Sequence, residues 1–582
     1  MFERIISINN NYAIVKISNN FNNDILNYNV IFEDSNKRIL GEINEVINFE
    51  AKISFLGEFI DNKFFSGLIR KPSPNSRLRI INQQELGELV NSINSKSINL
   101  GTSPLYNNYP IKVDINDMFS NHTLILGNGR VGKTSCATKI IQNLFNMKDK
   151  IPFNSNIFIF SDSYEYNKTF SNLNKINSSF NYKLYSSDKS NDNVLKIPLW
   201  LMDVYDFSHL LEANNYFQVR VIEKMLNYVS LFSKDGEDSD KYKNHLIASA
   251  MMRVLYSNQI NTRIREQIFE ILNCCSTKDL NLNKEVPGIG YNKKFIKCFD
   301  LDKHGEFIER EIVSKYIQTF INDNYKFNFQ YEPTYFTLEQ LESALDFVMI
   351  SDGIIFNDKL YNDTIMIKDN LHKINNSFYR EFFDLSNYIT VEQFINSLVQ
   401  VNNKSRAQIV NFMFDNLDSS FSNSLVKILC KIIYNFNNKS NGSIPIYIIF
   451  DDTNILNHNE NDNMLFGYNI FHKIFKDGKR IGISINLVTD NVSQVDKKIL
   501  LQFANYILFK LNNESDLDYI SKLVPEINSC MIEKINSLQV GTCLISGKIM
   551  KIPMIVKLEL PNIMTNDDSL SIYDKWIVDF NK

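Results

Sequence analysis

The chain is poor in the residues that mark several classes of protein. Glycine is scarce, 19 in 582 residues, so a glycine-rich motif found here is not a by-product of composition. Cysteine is sparse and scattered, at positions 136, 274, 275, 298, 430, 530 and 543, with no C-x-x-C pair and no Cys/His spacing for zinc. This pattern excludes a disulfide scaffold or a zinc module and reads as the reduced thiols of a cytoplasmic protein. No apolar run approaches the length of a membrane span, and the opening MFERIISINN lacks a signal-peptide core, so no membrane association is expected. A basic excess is missing too: 62 Lys+Arg stand against 66 Asp+Glu, a net charge of −4. A protein coated in basic surface is thereby excluded, but not one that holds nucleic acid in a narrow basic channel.

What is present is ordinary globular composition, 44% hydrophobic and 22% charged, in a chain long enough for more than one folding unit. The abundance of Asn, Ile and Lys reads as codon bias rather than chemistry. One stretch organises the rest, His122 to Phe145, HTLILGNGRVGKTSCATKIIQNLF. An apolar run stops at Gly127. Gly127 to Thr134 then satisfies G-x-x-x-x-G-K-[ST], and apolar residues at helical spacing follow. Strand, glycine-rich loop and helix therefore occur in the order that a phosphate-binding loop requires. Without Cβ atoms in the way, backbone N–H groups curl around a phosphate, and the helix N-terminus adds partial positive charge. The predicted nucleotide contacts are Gly127, Asn128, Gly129, Arg130, Val131, Gly132, Lys133, Thr134 and Ser135. Lys133 is expected on the β- and γ-phosphates and Thr134 on Mg²⁺, which makes ATP and Mg²⁺ the expected cofactors.

The fold class predicted is α/β: a small N-terminal β-barrel, a core with a mainly parallel sheet, and a large helical insertion. Residues 1–105 alternate apolar and polar residues in short runs divided by turns, as a small barrel for docking or oligomerisation would. The first part of the core spans 106–200 and carries the loop. Residues 201–425 show helical periodicity with few strand candidates. The core resumes over 426–560, and 561–582 form a C-terminal tail. Within the core, Ile444 to Phe450 is an apolar strand ending in Asp451 and Asp452. After a phosphate loop such a strand is the Mg²⁺-water site of these ATPases, with Asp451 on the metal shell and Asp452 activating the attacking water. Two carboxylates at a strand end also serve to cap a following loop. Glu165 lies just beyond the strand Ile157 to Phe160, at the edge where open parallel sheets bind ligands; a solvated loop carboxylate is the plainer reading of it.

Taken in order, these pieces resemble the HerA-like branch of the HerA/FtsK ring ATPases, whose core is RecA-like. The resemblance rests on L-G (Leu100, Gly101), V-D (Val113, Asp114), H-T-L-I-L-G before the loop, F-S-D-S-Y-E-Y, K-I-P-L-W-L (Lys196 to Leu201), K-D-G-K-R-I-G, and the closing Q-V-G-T-C-L-I-S-G with I-P-M. It implies a homohexamer with ATP at subunit interfaces and double-stranded DNA in a central channel. It also implies ATP hydrolysis that drives translocation on, or unwinding of, that DNA. A nuclease or sirtuin-like effector is expected to dock on the N-terminal barrel, in anti-phage defence. By the same resemblance Lys479 and Arg480 hold the position that reaches the neighbour's γ-phosphate, and Asp490 stands where the family has a sensor glutamine. Departures are visible. Asp452 replaces the usual glutamate, so Glu165 becomes an alternative carrier of the water. The arginine that precedes the motif's histidine is Asn121, which removes a cis charge on the phosphates; Arg130 is a candidate substitute. The competing expectation is an ATP-binding hexameric scaffold with weak or no hydrolysis that organises the effector.

Overall fold

The computed structural model describes residues 2–18, 24–34, 37–90, 96–147, 150–161, 164–187, 193–234, 236–287, 292–322, 334–402, 405–414, 416–451, 460–524 and 527–561. Asp452 and almost all of the expected C-terminal tail lie outside the described residues.

Alternating strands at the N-terminus build an antiparallel sheet of seven: Phe2–Ile8, Tyr12–Ile17, Asn29–Asp34, Lys37–Ile47, Glu50–Ile60, Lys63–Ser66 and Arg77–Ile80. Its order is first, second, fifth, fourth, third, seventh, and the sixth pairs the distal half of the fifth. The expected barrel is not closed. Among the described residues Phe2–Ile8 and Arg77–Ile80 end the path unpaired to one another, which leaves a curled half-barrel. The curl comes from the long hairpin Lys37–Ile47/Glu50–Ile60, whose register shifts between Leu40 and Gly41 and between Ile43 and Glu45. Bulges of this kind bend a strand and raise its twist. At Gly41 the strands approach so closely that a Cβ would stand 2.6 Å from Ile53 Cγ2. The concave face buries Val15, Val30, Phe32, Ile39 and Ile53. The half-barrel is fastened to the core by Lys534 Nζ, which donates to Glu42 Oε1 at 3.0 Å.

An eleven-stranded sheet forms the core. Its order is Tyr182–Ser186, Ile409–Met413, Ile157–Ser161, Ile446–Asp451, Ile483–Thr489, Thr123–Leu126, Asn505–Leu508, Thr542–Gly547, Met554–Leu558, Ser97–Ser103, Tyr109–Asp114. The first seven run parallel, and the last four extend the sheet antiparallel. The parallel strands are buried almost throughout, as strands covered on both faces must be. Residue alternation separates the two faces. Ile125 packs with Ala137, Ile140 and Ile141 of the helix Lys133–Phe145. Leu124 and Leu126 face the opposite layer, which includes Leu425 and Ile428 of the helix Ser419–Lys439 and Ile474 of the helix Ile470–Asp477.

Between Leu201 and the core's second half, helices such as Tyr216–Phe232, Glu237–Leu255, Asn261–Cys274, Leu338–Ser351 and Asp358–Asn375 pack into one hydrophobic body continuous with that layer. The strand Ile409–Met413, inside a stretch read as mainly helical, is a full member of the core sheet, paired on both sides. It is short, IVNFM, and sits in an Asn-rich context that hides its period. Among the described residues no helix is long and apolar enough to cross a membrane.

Candidate nucleotide site

The strand Thr123–Leu126 is held on both sides by parallel neighbours, so its exit point is fixed. Gly127 follows immediately, and a Cβ there would meet Phe509 Cβ at 2.5 Å, so only glycine lets the chain turn this close to Phe509. Gly132 has φ +104, a left-handed conformation that glycine adopts without strain. Arg130 also sits at positive φ, +60, and is exposed. The loop is pinned by Asn128 N–H donating to Lys510 O at 2.9 Å and by Gly541 N–H donating to Val131 O at 3.1 Å. Gly132 caps the helix Lys133–Phe145 and offers no side-chain hydrogen bond to it. The first N–H groups of that helix are thus left to other acceptors.

Four side chains from distant parts of the sequence meet at this turn. Lys133 Nζ donates to Asn128 O at 2.8 Å, so the ammonium lies back over its own loop. Burial holds its pKa below the usual lysine range, while Asp490 and Asp451 pull it back up. Thr134 Oγ1 donates to Asp451 Oδ2 at 2.9 Å. Tyr166 OH donates to the same oxygen at 2.8 Å. Burial pushes the Asp451 carboxyl up to about 6, against the two hydrogen bonds and Lys133, which lower it, and with Glu165, which raises it. The cluster stands at the C-terminal ends of adjacent parallel strands, where open α/β sheets bind ligands.

The structure brings together most of the residues singled out from the sequence. Gly127 to Ser135 form the turn and first helical residues, and Asp451 closes over Thr134. Glu165, on the helix Tyr164–Phe170, is half-buried and near enough to bear on Asp451. Asp490 follows the strand Ile483–Thr489 directly, exposed, with its charge felt by Lys133. Tyr166 was not among the expected site residues. Its motif, Y-E-Y, was visible, but nothing in the sequence says that it bonds a carboxylate 285 positions away.

Lys479 and Arg480 are elsewhere. They lie in the turn between the helix Ile470–Asp477 and the strand Ile483–Thr489, at the sheet edge opposite the loop. The seven residues of that strand, at about 3.3 Å each, put roughly 20 Å between Arg480 and Asp490. Both basic side chains are exposed. Lys479 Nζ donates to Asn121 Oδ1 at 3.1 Å. Asn121 therefore belongs to this far edge, and the expectation that Asn121 removes a cis charge on the phosphates is corrected: this position lies at the start of the strand Thr123–Leu126, at the end away from the strand's own loop. His122 bolts the two halves of this edge. Its Nδ1 accepts from Ile485 N–H at 3.0 Å, so Nε2 carries the proton and donates to Phe475 O at 3.0 Å. Burial lowers its pKa to about 4, which keeps the ring neutral.

Comparison with known proteins agrees with these features. Residues 98–286 match the family model described as "Helicase HerA, central domain". The DNA double-strand break repair helicase HerA of Saccharolobus solfataricus is 28% identical over 147 residues, 25% of this chain and 29% of that protein. HerA of Pyrococcus furiosus is 27% identical over 116 residues, 20% of each. The chain thus spans less than a third of the length of the curated relatives it matches. Among solved structures, VirB4 of Thermoanaerobacter pseudethanolicus superposes with a TM-score of 0.45 at 10% identity, covering 80% of this chain and 97% of that one. The plasmid coupling protein TrwB in complex with ADP and Mg²⁺ does so with 0.38 at 10%, covering 84% and 94%. Over residues 98–286, then, this chain is similar to the central domain of HerA helicases.

Proposed function

We propose that the chain is one subunit of a ring ATPase that hydrolyses ATP to move on duplex DNA. The observation that carries this reading is the meeting of Thr134, Asp451 and Tyr166 at the foot of a helix whose N-terminus has no side-chain cap. The residues fit a magnesium-bound triphosphate: a left-handed Gly132, free helical N–H groups, a lysine within the loop, and a buried carboxylate already gripping the threonine hydroxyl. The relatives' names, which specify a helicase acting in DNA break repair, support DNA as the substrate of the movement.

In this mechanism the loop N–H groups and the helix N-terminus hold the phosphates, and Lys133 swings from Asn128 O onto the terminal oxygens. Mg²⁺, when bound, would supply positive charge against the phosphate oxygens. Thr134 would hold it directly and Asp451 through water. Tyr166 keeps Asp451 aimed at Thr134. Glu165 or Asp452 takes the proton of the attacking water. Arg480 of one subunit, at the far edge, faces the loop of the next and stabilises the charge that develops as the γ-phosphoryl group leaves. The family resemblance extends the proposal to a homohexamer with DNA in its channel and to a nuclease or sirtuin-like effector on the N-terminal half-barrel, in anti-phage defence.

A second reading, a nucleotide-gated scaffold with little hydrolysis, is favoured by one observation: Asp490 stands close enough to offset part of the Lys133 charge. Steady-state ATP turnover with and without duplex DNA separates the two. A motor gives DNA-stimulated turnover that Lys133→Ala abolishes. A scaffold binds ATP tightly, turns it over negligibly and loses assembly on the same substitution.

A further inference from the structure

Where the outer parallel strands begin, a cavity of about 880 Å³ opens that no motif marked. Its walls come from the chain entering the strands Ile157–Ser161 and Ile446–Asp451 and from the segment before Tyr182–Ser186. The helix Val391–Val399 and the hairpin Gln400–Asn402/Ser405–Arg406 complete it. The fold fixes the backbone around it. Gln408 is fully buried; its Oε1 accepts from Asn181 N–H at 2.8 Å and its Nε2 donates to Phe153 O at 3.1 Å. Asn181 Nδ2 donates to Arg406 O at 3.2 Å, and Asn156 Nδ2 donates to Pro445 O at 3.0 Å.

Among the described residues one charged group lines this cavity, the half-buried guanidinium of Arg406. One of its terminal nitrogens donates to Asn156 Oδ1, and its Nε is buried with no acceptor. No carboxylate lines the cavity, and among the described residues Arg406 forms no ion pair. A desolvated cation without a counter-charge is costly unless an anion completes it, and the planar fork of arginine suits phosphate oxygens. Phe153, on the same wall, is 49% exposed although its backbone is held by Gln408. An aromatic ring presented on a fixed backbone is a stacking surface for a base. The side-chain amides of Asn154, Asn396 and Asn402 also line the cavity, and amides donate and accept as base edges do. With one cation and no carboxylate for a metal, the cavity suits a single phosphate rather than a magnesium triphosphate.

We propose that this cavity is a second, metal-independent nucleotide site that takes a nucleoside monophosphate unit, its phosphate on Arg406 and its base against Phe153. The unit has two sources, a free mononucleotide or one residue of a single DNA strand, and the same two contacts serve both. The assignment does not depend on the reading of the phosphate loop.

The test is calorimetric titration of the full chain with AMP and with oligo(dT), without magnesium, in a Lys133→Ala background that silences the phosphate loop. The expected result is saturable AMP binding that is about tenfold weaker in Arg406→Gln and about tenfold weaker for adenosine in place of AMP. Phe153→Ala is expected to weaken it about tenfold as well. That pattern assigns the free nucleotide. Binding of oligo(dT) alone, with the same dependence on both residues, assigns the strand. Phe153 is exposed, so Phe153→Ala is expected to melt with the parent, and it decides the outcome if Arg406→Gln melts early. No binding of either probe overturns the proposal. Binding unaffected by Phe153→Ala, or by an Arg406→Gln that melts with the parent, overturns it too, as does adenosine bound as tightly as AMP. Loss of ATP turnover in Arg406→Gln, with AMP and oligo(dT) binding unchanged, assigns the guanidinium to a neighbouring subunit and also overturns the proposal.

Discussion

Tyr166→Phe isolates one hydrogen bond of the nucleotide site with little change in volume. Tyr166 is wholly buried, and its hydroxyl donates to Asp451 Oδ2 at 2.8 Å. Asp451 has two such donors, and its pKa stands near 6 because burial opposes the ionised form. Removing a hydrogen bond to a charged group costs about 1.5–3 kcal/mol. Part of that appears as lost stability and part as a carboxylate less often ionised and less firmly aimed at Thr134. Groups that orient a metal ligand from behind are worth roughly 10–100-fold in affinity or activity. Magnesium-dependent turnover is therefore expected to fall by about that factor, while nucleotide binding without magnesium changes little. The assay is steady-state hydrolysis across a magnesium titration, with Tyr434→Phe as control, since Tyr434 donates to Asp477 at 3.1 Å on the far-edge helix. Equal, small effects from both substitutions would refute the view that Tyr166 holds Asp451 for the metal.

Other predictions address charge and packing. The neutral His122 has its pKa lowered from 6.5 to about 4, so the unfolded chain takes up the proton first as pH falls. Its contribution to stability is complete above pH 6.5 and is lost toward pH 4, up to about 3 kcal/mol at 1.36 kcal/mol per unit. Denaturant midpoints at pH 7 and pH 4.5 should show that loss, and His122→Gln should shrink it. Asp490→Asn removes an exposed anion beside Lys133; ATP binding followed by calorimetry should tighten a few-fold, and more at low salt than at high salt. Lys534→Met leaves Glu42 buried without its partner at the joint between half-barrel and core. Unfolding free energy should fall by about 3–5 kcal/mol, and Glu42→Gln in the same chain should restore much of it.

Local chemistry was the readable part of the sequence. The phosphate loop was legible because strand, turn and helix follow one another directly, and Gly127 and Gly132 answer to backbone needs visible in the motif. Asp451 was legible because an apolar run ending in acid marks the exit edge of a parallel strand. Contacts across the sheet were not legible. Thr134 and Asp451 are 317 residues apart, and their hydrogen bond depends on the strand order. The same order puts Asn121 and Lys479 together on the edge away from the loop, which changes the meaning of the residue before His122. Pairing alone decides whether seven antiparallel strands close, so the half-barrel read as a barrel. Ile409–Met413 was obscured because five apolar-rich residues within a helical stretch have no period long enough to recognise.

The most direct test is equilibrium binding of ATP with Mg²⁺ to the parental chain and to Lys133→Ala, measured together with the mass of the particle formed. The account predicts saturable, magnesium-dependent binding in the parent, a loss of a hundredfold or more in the variant, and assembly beyond a monomer when nucleotide is bound. Equal binding by both chains, or a parent that binds ATP yet remains a monomer at every concentration, would contradict it.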